Sequence, residues 1–206
     1  MYNWYQDDEV GKKNYCFKMI QKQEVKLKMK TLIKNGRLLD GKNNFHMTRV
    51  DILIEDGIIK RIGENINEED SEVIDVKDSI IAPGFIDIHV HCYPSEDTNG
   101  VFPDEIGVKK GVTTVVDAGT AGEETIEDFV ENIIKKSKTR VYSLLNISSM
   151  GLKIKSELSD MKNIDKEKIK EALNKYLEII VGLKARASAS VVKENGIKPI
   201  AEGKKI

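Results

Sequence analysis

The sequence is poor in cysteine and has no long apolar run. Of its 206 residues only Cys16 and Cys92 are cysteines, which excludes a disulfide framework. No apolar stretch approaches the roughly 18 residues of a membrane span, and the N-terminus lacks the apolar core of a signal peptide. These absences predict a protein of a reduced, cytoplasmic compartment with no membrane partner.

An excess of charge of one sign is also lacking. Lys and Arg total 33 against 34 Asp and Glu, for a formal net charge of -1. The lysines near the N-terminus are not accompanied by the arginine and aromatic pattern of a nucleic-acid face, so we expect no nucleic-acid partner. Apolar residues make up 40% of the chain, which is enough to bury a core at this length.

Three segments with different patterns follow one another along the chain. Residues 1–28 show no sustained helical or strand period, and we expect an extension that is disordered, or mistranslated with the true start at Met29. Residues 29–80 form a small β module of short strand-like runs separated by turn residues. Residues 81–206 alternate strand and helix patterns. We therefore expect two folded domains after the extension.

The clearest turn signal in the β module is Asp56-Gly57, which lies between two apolar segments. Glycine supplies the positive φ that a type I′ turn requires. The dipeptide therefore predicts a β-hairpin.

Four strand-like segments follow residue 80, with helical patterns between them. Thr125 and Asp128 are spaced as a capping box for one helix, and Asp165 is placed to cap another. Strands that alternate with helices predict a parallel sheet and an α/β fold. The four segments are IAPGFIDIHVH (81–91), GVTTVVDAG (111–119), RVYSLLNIS (140–148) and IIVGLKARAS (179–188).

The first of these segments ends on a candidate metal site. Side chains alternate along a strand, so Asp87, His89 and His91 share one face. Two imidazoles near the C-terminal end of a parallel strand can converge on a divalent cation such as zinc, and Asp87 could orient one of them. The alternative is that both histidines serve packing or lie at the surface.

Other polar residues near the strand ends have simpler expected roles. We expect Asp117 and Asn146 to bind loop backbone rather than substrate. Cys92 is expected to be a small buried thiol, and His46 in the β module to lie at the surface.

Several blocks of the sequence resemble one family. APGFIDIHVH, preceded by KNGRLLD and DILIEDGIIKRIG, resembles the beginning of amidohydrolase superfamily proteins, which are metal-dependent hydrolases. FPDEIGVKKGVTTVVDAGTAG, SKTRVYSLLNIS and IVGLKARASASVVKENGI resemble the amidohydrolase/deacetylase branch, whose members are often called dihydroorotase-like. The resemblance covers residues 29–206. It implies the N-terminal half of a (β/α)8 TIM-type barrel, about four strands, with a partial β-sandwich over residues 29–80.

The resemblance also assigns a site. It implies that His89 and His91 are metal ligands and that Lys184, carboxylated by carbon dioxide, bridges two divalent ions, most readily zinc. Such a centre would activate water to hydrolyse the amide C–N bond or acetyl ester of a small molecule. Arg186 and Tyr93 are candidate substrate-binding residues; the alternatives are a structural partner for Arg186 and simple packing for Tyr93.

Part of the family's site has no counterpart in these 206 residues. The family takes one histidine from each of the fifth and sixth barrel strands and a proton-shuttling aspartate from the eighth. We therefore expect the N-terminal fragment of a hydrolase, inactive alone. One alternative is a non-catalytic subunit or interaction module that completes a barrel with a separately encoded C-terminal half. Another is a metal-binding or inert remnant without a partner.

Overall fold

The computed structural model describes residues 30–206, so the expectation for residues 1–28 lies outside the described residues. The described residues divide into two compact units, 30–82 and 83–206. The finer assignment of these units to a β-sandwich and a truncated barrel stays a prediction.

The described part of the first unit is a five-stranded mixed sheet. Its strands are β1 (Lys30–Leu38), β2 (Arg49–Glu55), β3 (Ile58–Gly63), β4 (Glu72–Asp75) and β5 (Ile80–Ile81). β1 pairs antiparallel with β2 and parallel with β4 and β5, and β3 pairs antiparallel with β2. Leu38, Val50 and Ile52 form one buried cluster of this sheet.

The hairpin predicted at Asp56-Gly57 is confirmed. β2 and β3 are antiparallel, and Glu55 pairs with Ile58 across the two-residue turn. Asp56 and Gly57 have φ values of 51° and 76°. Positive φ at both central residues is what a type I′ turn requires, and the twist of that turn matches the twist of the flanking strands.

The second unit contains a four-stranded sheet in which all neighbours are parallel. Its strands are β6 (Phe85–Val90), β7 (Val112–Asp117), β8 (Arg140–Asn146) and β9 (Ile180–Lys184). They lie in the order β6-β7-β8-β9, which is also their order in the sequence. The predicted strands and the α/β class are thus confirmed, and the C-terminal ends of all four strands lie at one edge of the sheet.

Helical segments connect these strands. They are α1 (Pro103–Ile106), α2 (Ile126–Asp128), which continues through a π-helical turn (Phe129–Ile133) and a 3-10 turn (Ile134–Lys136), α3 (Lys166–Lys175), α4 (Ala189–Val192) and α5 (Lys198–Gly203), with further 3-10 turns at Val108–Lys110, Gly151–Lys153, Met161–Asn163 and Lys193–Asn195. The predicted cap of α3 is confirmed, because the Asp165 side chain accepts from the backbone N–H groups of Glu167 and Lys168. Among residues 30–206 no helix is long and apolar enough to cross a bilayer.

The capping box predicted at the start of α2 is wrong. The Thr125 hydroxyl oxygen accepts from the backbone N–H of Gly122 instead of a helical N–H. Asp128 accepts from the hydroxyl of Tyr93 and from the side-chain amide of Asn132. Both side chains thus have partners outside the box: Thr125 bonds to a backbone N–H three residues before it, and Asp128 bonds to the nearby Asn132 and to the distant Tyr93.

The core of the second unit joins its sheet to its helical segments. Val115 and Leu145 from the strands, and Phe129 and Ile169 from the helical segments, are each at most 1% exposed in one apolar cluster. β6 has a different environment, because it is an edge strand of the described sheet and Phe85, Ile86 and Ile88 are 64%, 63% and 75% exposed. This edge is the least covered part of the described sheet.

Candidate functional site

The two predicted imidazoles lie at the C-terminal end of β6. The ring centroids of His89 and His91 are 5.8 Å apart with an interplanar angle of 78°. His89 is exposed and His91 is partly buried. Asp87, a candidate to orient an imidazole, instead accepts from the backbone N–H of His89 at 3.0 Å. The strand therefore presents both rings at its end, with Asp87 bound to the strand backbone.

His91 has a second neighbour that the sequence did not reveal. Its Nδ1 lies 2.8 Å from the Thr120 hydroxyl oxygen. That hydroxyl donates in turn to Asp117 Oδ2, also at 2.8 Å. Asp117 ends β7, so the contact links the ends of two adjacent strands.

Burial holds the pKa of His91 below its usual value. The charge of Asp117 opposes this shift, whereas His89, Lys184 and Arg186 reinforce it. The neutral imidazole that results is the form that binds metal ions. The same interactions place the charges of Lys184 and Arg186 within electrostatic range of His91.

Lys184 is the last residue of β9, where it pairs with Asn146 of β8. Its side chain passes close to Gly119, which follows β7. A Cβ on Gly119 would lie 2.5 Å from Lys184 Cβ and 2.6 Å from its Cγ, and Gly119 has a φ of +82°. Only glycine accommodates both the backbone angle and this close approach. Lys184 is thus at the same sheet edge as the two imidazoles.

Asp117 and Asn146 bind loop backbone, as predicted. Asp117 accepts from the N–H groups of Cys92 and Thr120 at 2.8 and 2.6 Å. The Asn146 amide donates to the carbonyl of Gly119 at 3.0 Å. These bonds fix the loops that follow β6 and β7.

Two simpler predictions are confirmed. Cys92 is 0% exposed, and burial raises the pKa of its thiol. A thiol held in this state is not a reactive nucleophile. His46 is exposed in the first unit.

Tyr93 packs within the second unit. It is 2% exposed, and its ring stacks on Phe129 with a centroid distance of 4.8 Å. Its hydroxyl donates to Asp128 at 2.6 Å and lies 3.2 Å from Lys153 Nζ. This arrangement supports the packing alternative, and the substrate-binding role of Tyr93 stays an untested prediction.

Arg186 forms a bidentate ion pair with Glu157. Its Nε and Nη2 donate to the two carboxylate oxygens at 2.9 and 2.7 Å. Glu157 is fully buried, whereas the Arg186 side chain is 44% exposed. This pair supports the alternative in which Arg186 is a structural partner. The pair uses two of the five guanidinium N–H groups of Arg186. A substrate contact by Arg186 stays a prediction.

Sequence reasoning missed Thr120, Gly119 and Glu157. Gly119 is the last residue of a predicted strand segment and Thr120 follows it directly, so the sequence already indicated that both lie at the sheet edge. Glu157 lies in the long connection between β8 and α3, where no periodicity marks a residue as buried. Only the folded chain shows that Glu157 is buried and paired with Arg186.

The candidate donor set consists of two imidazoles and one lysine amine. Residues 30–206 contain no cluster of three or more His, Cys, Asp or Glu side chains positioned to hold a metal ion. A metal bound here would therefore depend on Lys184 or on ligands supplied from beyond the described residues.

A buried carboxyl group lies in the loop between β7 and α2. Both oxygens of Glu123 are buried, and this burial raises its pKa from the usual 4.5 to about 7. Glu124 and Asp165 add to the shift, whereas the Glu123 backbone amide and Lys168 oppose it. The folded state thus retains a proton at Glu123 over a pH range in which the unfolded state has lost it.

We expect Glu123→Gln to stabilise the protein above neutral pH. As the pH rises from about 4.5 to about 7, ionisation of the unfolded chain lowers the stability of the native state, and the full penalty is present above about 7. Removing the ionisable group should then raise the free energy of unfolding by about 2 kcal/mol at alkaline pH and by little near pH 4.5. Urea denaturation at several pH values measures this. Glu131→Gln is the matched control, because Glu131 is exposed, pairs with Lys135 and is not among the groups that shift the pKa of Glu123; parallel pH profiles for wild type and Glu123→Gln would contradict the prediction.

Comparison with known proteins gives a consistent set of relatives. No family model matches the chain. A deacetylase of Enterococcus faecalis is 38% identical over 176 residues, which cover 85% of this chain and 46% of that protein. The crystal structure of a dihydroorotase matches with a TM-score of 0.80 at 36% identity, over 85% of this chain and 47% of that one. An adenine deaminase structure matches with a TM-score of 0.74 at 37% identity, over 86% and 46%. The chain spans about half the length of the relatives it matches.

Proposed function

We propose that this chain, which belongs to the amidohydrolase superfamily, forms the N-terminal half of a (β/α)8 barrel and supplies part of a hydrolytic metal centre. Four parallel strands in sequence order are half of the eight that such a barrel contains. The share of the relatives that the chain covers fits an N-terminal fragment. The sheet of residues 30–82 would then be part of the appended β-sandwich.

The residues at the sheet edge fit a divalent cation. Burial lowers the pKa of His91, which favours its neutral form, and the exposed residue His89 lies next to it. Imidazole nitrogens are good zinc ligands, although manganese and related ions accept them as well. If the Lys184 amine adds carbon dioxide and releases a proton, the resulting carbamate offers two oxygens to one or two cations. We therefore assign His89, His91 and Lys184 as the metal-binding residues, with zinc as the first candidate.

The reaction we propose is hydrolysis of the amide C–N bond or acetyl ester of a small molecule. A bound divalent ion would lower the pKa of a water molecule and polarise the substrate carbonyl. We also propose that Arg186, held by Glu157, contacts an anionic or carbonyl group of the substrate. The names deacetylase and dihydroorotase among the relatives support this reaction class.

A single observation carries the proposal: His91 lies beside His89, and Lys184 ends the fourth strand at the same carboxyl edge of the parallel sheet. Ligands bind at this edge in α/β folds. A lysine at the opposite edge would have had no access to the imidazoles.

Zinc titration of the full 206-residue chain, in buffer containing bicarbonate, tests this assignment. We expect His91→Ala and His89→Ala each to weaken zinc binding at least about tenfold, because each removes one of few donors. His46→Ala is the control, since His46 is an exposed histidine of the first unit. Unchanged affinity in His91→Ala would place the site elsewhere.

The same chain with zinc should not hydrolyse acetylated amides by itself, because the assigned residues do not include a proton shuttle.

A second function is favoured by the exposure of β6. Phe85, Ile86 and Ile88 are apolar and more than 60% exposed on an edge strand. Such strands pair readily with another chain. The chain could thus serve as a non-catalytic subunit or interaction module that completes a barrel with a separately encoded C-terminal half.

A further inference from the structure

We infer that Thr120 is a positioning residue for His91, and that the Asp117–Thr120 pair fixes this imidazole in the tautomer that leaves Nε2 free to bind a metal ion. The metal-binding half of this inference rests on the proposed function. The tautomer itself does not, since it follows from hydrogen bonds within the chain.

The Thr120 hydroxyl carries a single hydrogen, which it can donate to only one of its two neighbours. Thr120 Oγ1 lies 2.8 Å from Asp117 Oδ2 and 2.8 Å from His91 Nδ1. A carboxylate can only accept, so the hydroxyl hydrogen goes to Asp117. The hydroxyl oxygen is then the acceptor, and His91 Nδ1 must carry the proton. A neutral imidazole protonated at Nδ1 has its lone pair on Nε2.

The tautomer protonated at Nε2 of His91 would leave two acceptor oxygens facing each other. If Nδ1 carried the lone pair, Thr120 would donate to His91, and its oxygen would face Asp117 Oδ2 at 2.8 Å without a hydrogen between them. Two acceptors at this distance repel each other, and the pair is too deeply buried for water to separate them. The observed distances are therefore consistent with one tautomer only.

The pair is rigid because Asp117 is held from several sides. Its Oδ2 also accepts from the N–H of Cys92, and its Oδ1 accepts from the N–H of Thr120 itself. Thr120 is thus attached to Asp117 through both its backbone and its hydroxyl. Asp117 and Thr120 are each 0% exposed. The orientation of the hydroxyl is consequently set before any ligand arrives.

A hydrogen bond to the second nitrogen of a histidine ligand fixes its tautomer and ring orientation. Loss of such a partner typically lowers metal affinity by about 10–100-fold. We expect a loss in this range when the Thr120 hydroxyl is removed. His89 has no equivalent partner among the hydrogen bonds of the described residues, so the effect should pass through His91.

The test uses the full chain labelled with nitrogen-15 in histidine. Two-bond proton–nitrogen NMR spectra report which ring nitrogen carries the proton, and the His91→Gln spectrum assigns the His91 signals. Wild type is compared with Thr120→Val, which removes the hydroxyl at similar volume, and with Thr120→Ser, which restores it. Zinc alone is then titrated calorimetrically into each protein, and circular dichroism verifies the fold.

We expect His91 to be protonated at Nδ1 in wild type and Thr120→Ser. Thr120→Val should show a mixture of tautomers and bind zinc about 10–100-fold more weakly. A wild-type His91 protonated at Nε2 overturns the inference without any variant. Loss of the tautomer in both variants, or its retention in Thr120→Val, overturns it as well. If the predicted tautomer shifts are seen but wild type does not bind zinc, the positioning role stands and the proposed function fails.

Discussion

Phe129→Ala should destabilise the second unit by about 3–5 kcal/mol, the range typical of a fully buried aromatic residue. Phe129 is 0% exposed and stacks on Tyr93 at a centroid distance of 4.8 Å. The truncation removes apolar burial and leaves a cavity that the surrounding side chains fill only in part. Urea denaturation of the full chain, followed by far-ultraviolet circular dichroism, measures the loss.

Phe102→Ala is the matched control for this change. Phe102 precedes α1 and is 58% exposed, so its truncation should cost less than about 1 kcal/mol. Equal losses for the two variants would mean that Phe129 is not at the centre of the core.

Arg186→Ala should be the next most damaging change, with a loss of about 2–4 kcal/mol in the free energy of unfolding. The substitution leaves the Glu157 carboxylate without the bidentate partner it has in the native state. Glu157 is fully buried, so water cannot easily replace the guanidinium. The Arg186 side chain is 44% exposed, which places the expected loss toward the lower end of this range.

Two further variants test whether the loss of stability comes from the Arg186–Glu157 ion pair or from the removal of an arginine in general. Arg186→Ala combined with Glu157→Gln removes the unpaired charge and should recover part of the stability, so the two changes should not be additive. Arg140→Ala replaces an exposed arginine of β8 and should change stability by less than about 0.5 kcal/mol. Wild-type stability in Arg186→Ala would contradict a stabilising role for the pair with Glu157.

Most of the fold of the second unit could be predicted from local sequence patterns. The segments expected at 81–91, 111–119, 140–148 and 179–188 each contain one strand of the parallel sheet. The hairpin at Asp56-Gly57 and the cap at Asp165 also agree with the structure. Each of these features depends on backbone geometry over a few neighbouring residues. The β-sandwich and the half barrel concern how sheets close and pack, and they stay predictions.

The capping-box pattern failed because both of its side chains have other hydrogen-bond partners, two nearby in the sequence and one distant. Thr125 and Asp128 have the spacing of a capping box, but Thr125 bonds to Gly122 and Asp128 to Tyr93 and Asn132. The helix continues in π-helical form through Phe129–Ile133. A propensity of this kind is worth about 1 kcal/mol, which a buried hydrogen bond from another part of the chain can outweigh.

The sequence by itself determined which residues could form the candidate site. Alternation along β6 puts His89 and His91 on one face, and parallel strands bring the end of β9 to the same edge. Only the tertiary structure decided how these side chains are held: Thr120 bonds to His91, Gly119 makes room for Lys184, and Glu157 pairs with Arg186. The reason is physical. Strand alternation acts between adjacent residues, whereas a hydrogen bond between two loops forms only after the packed core has brought their ends together.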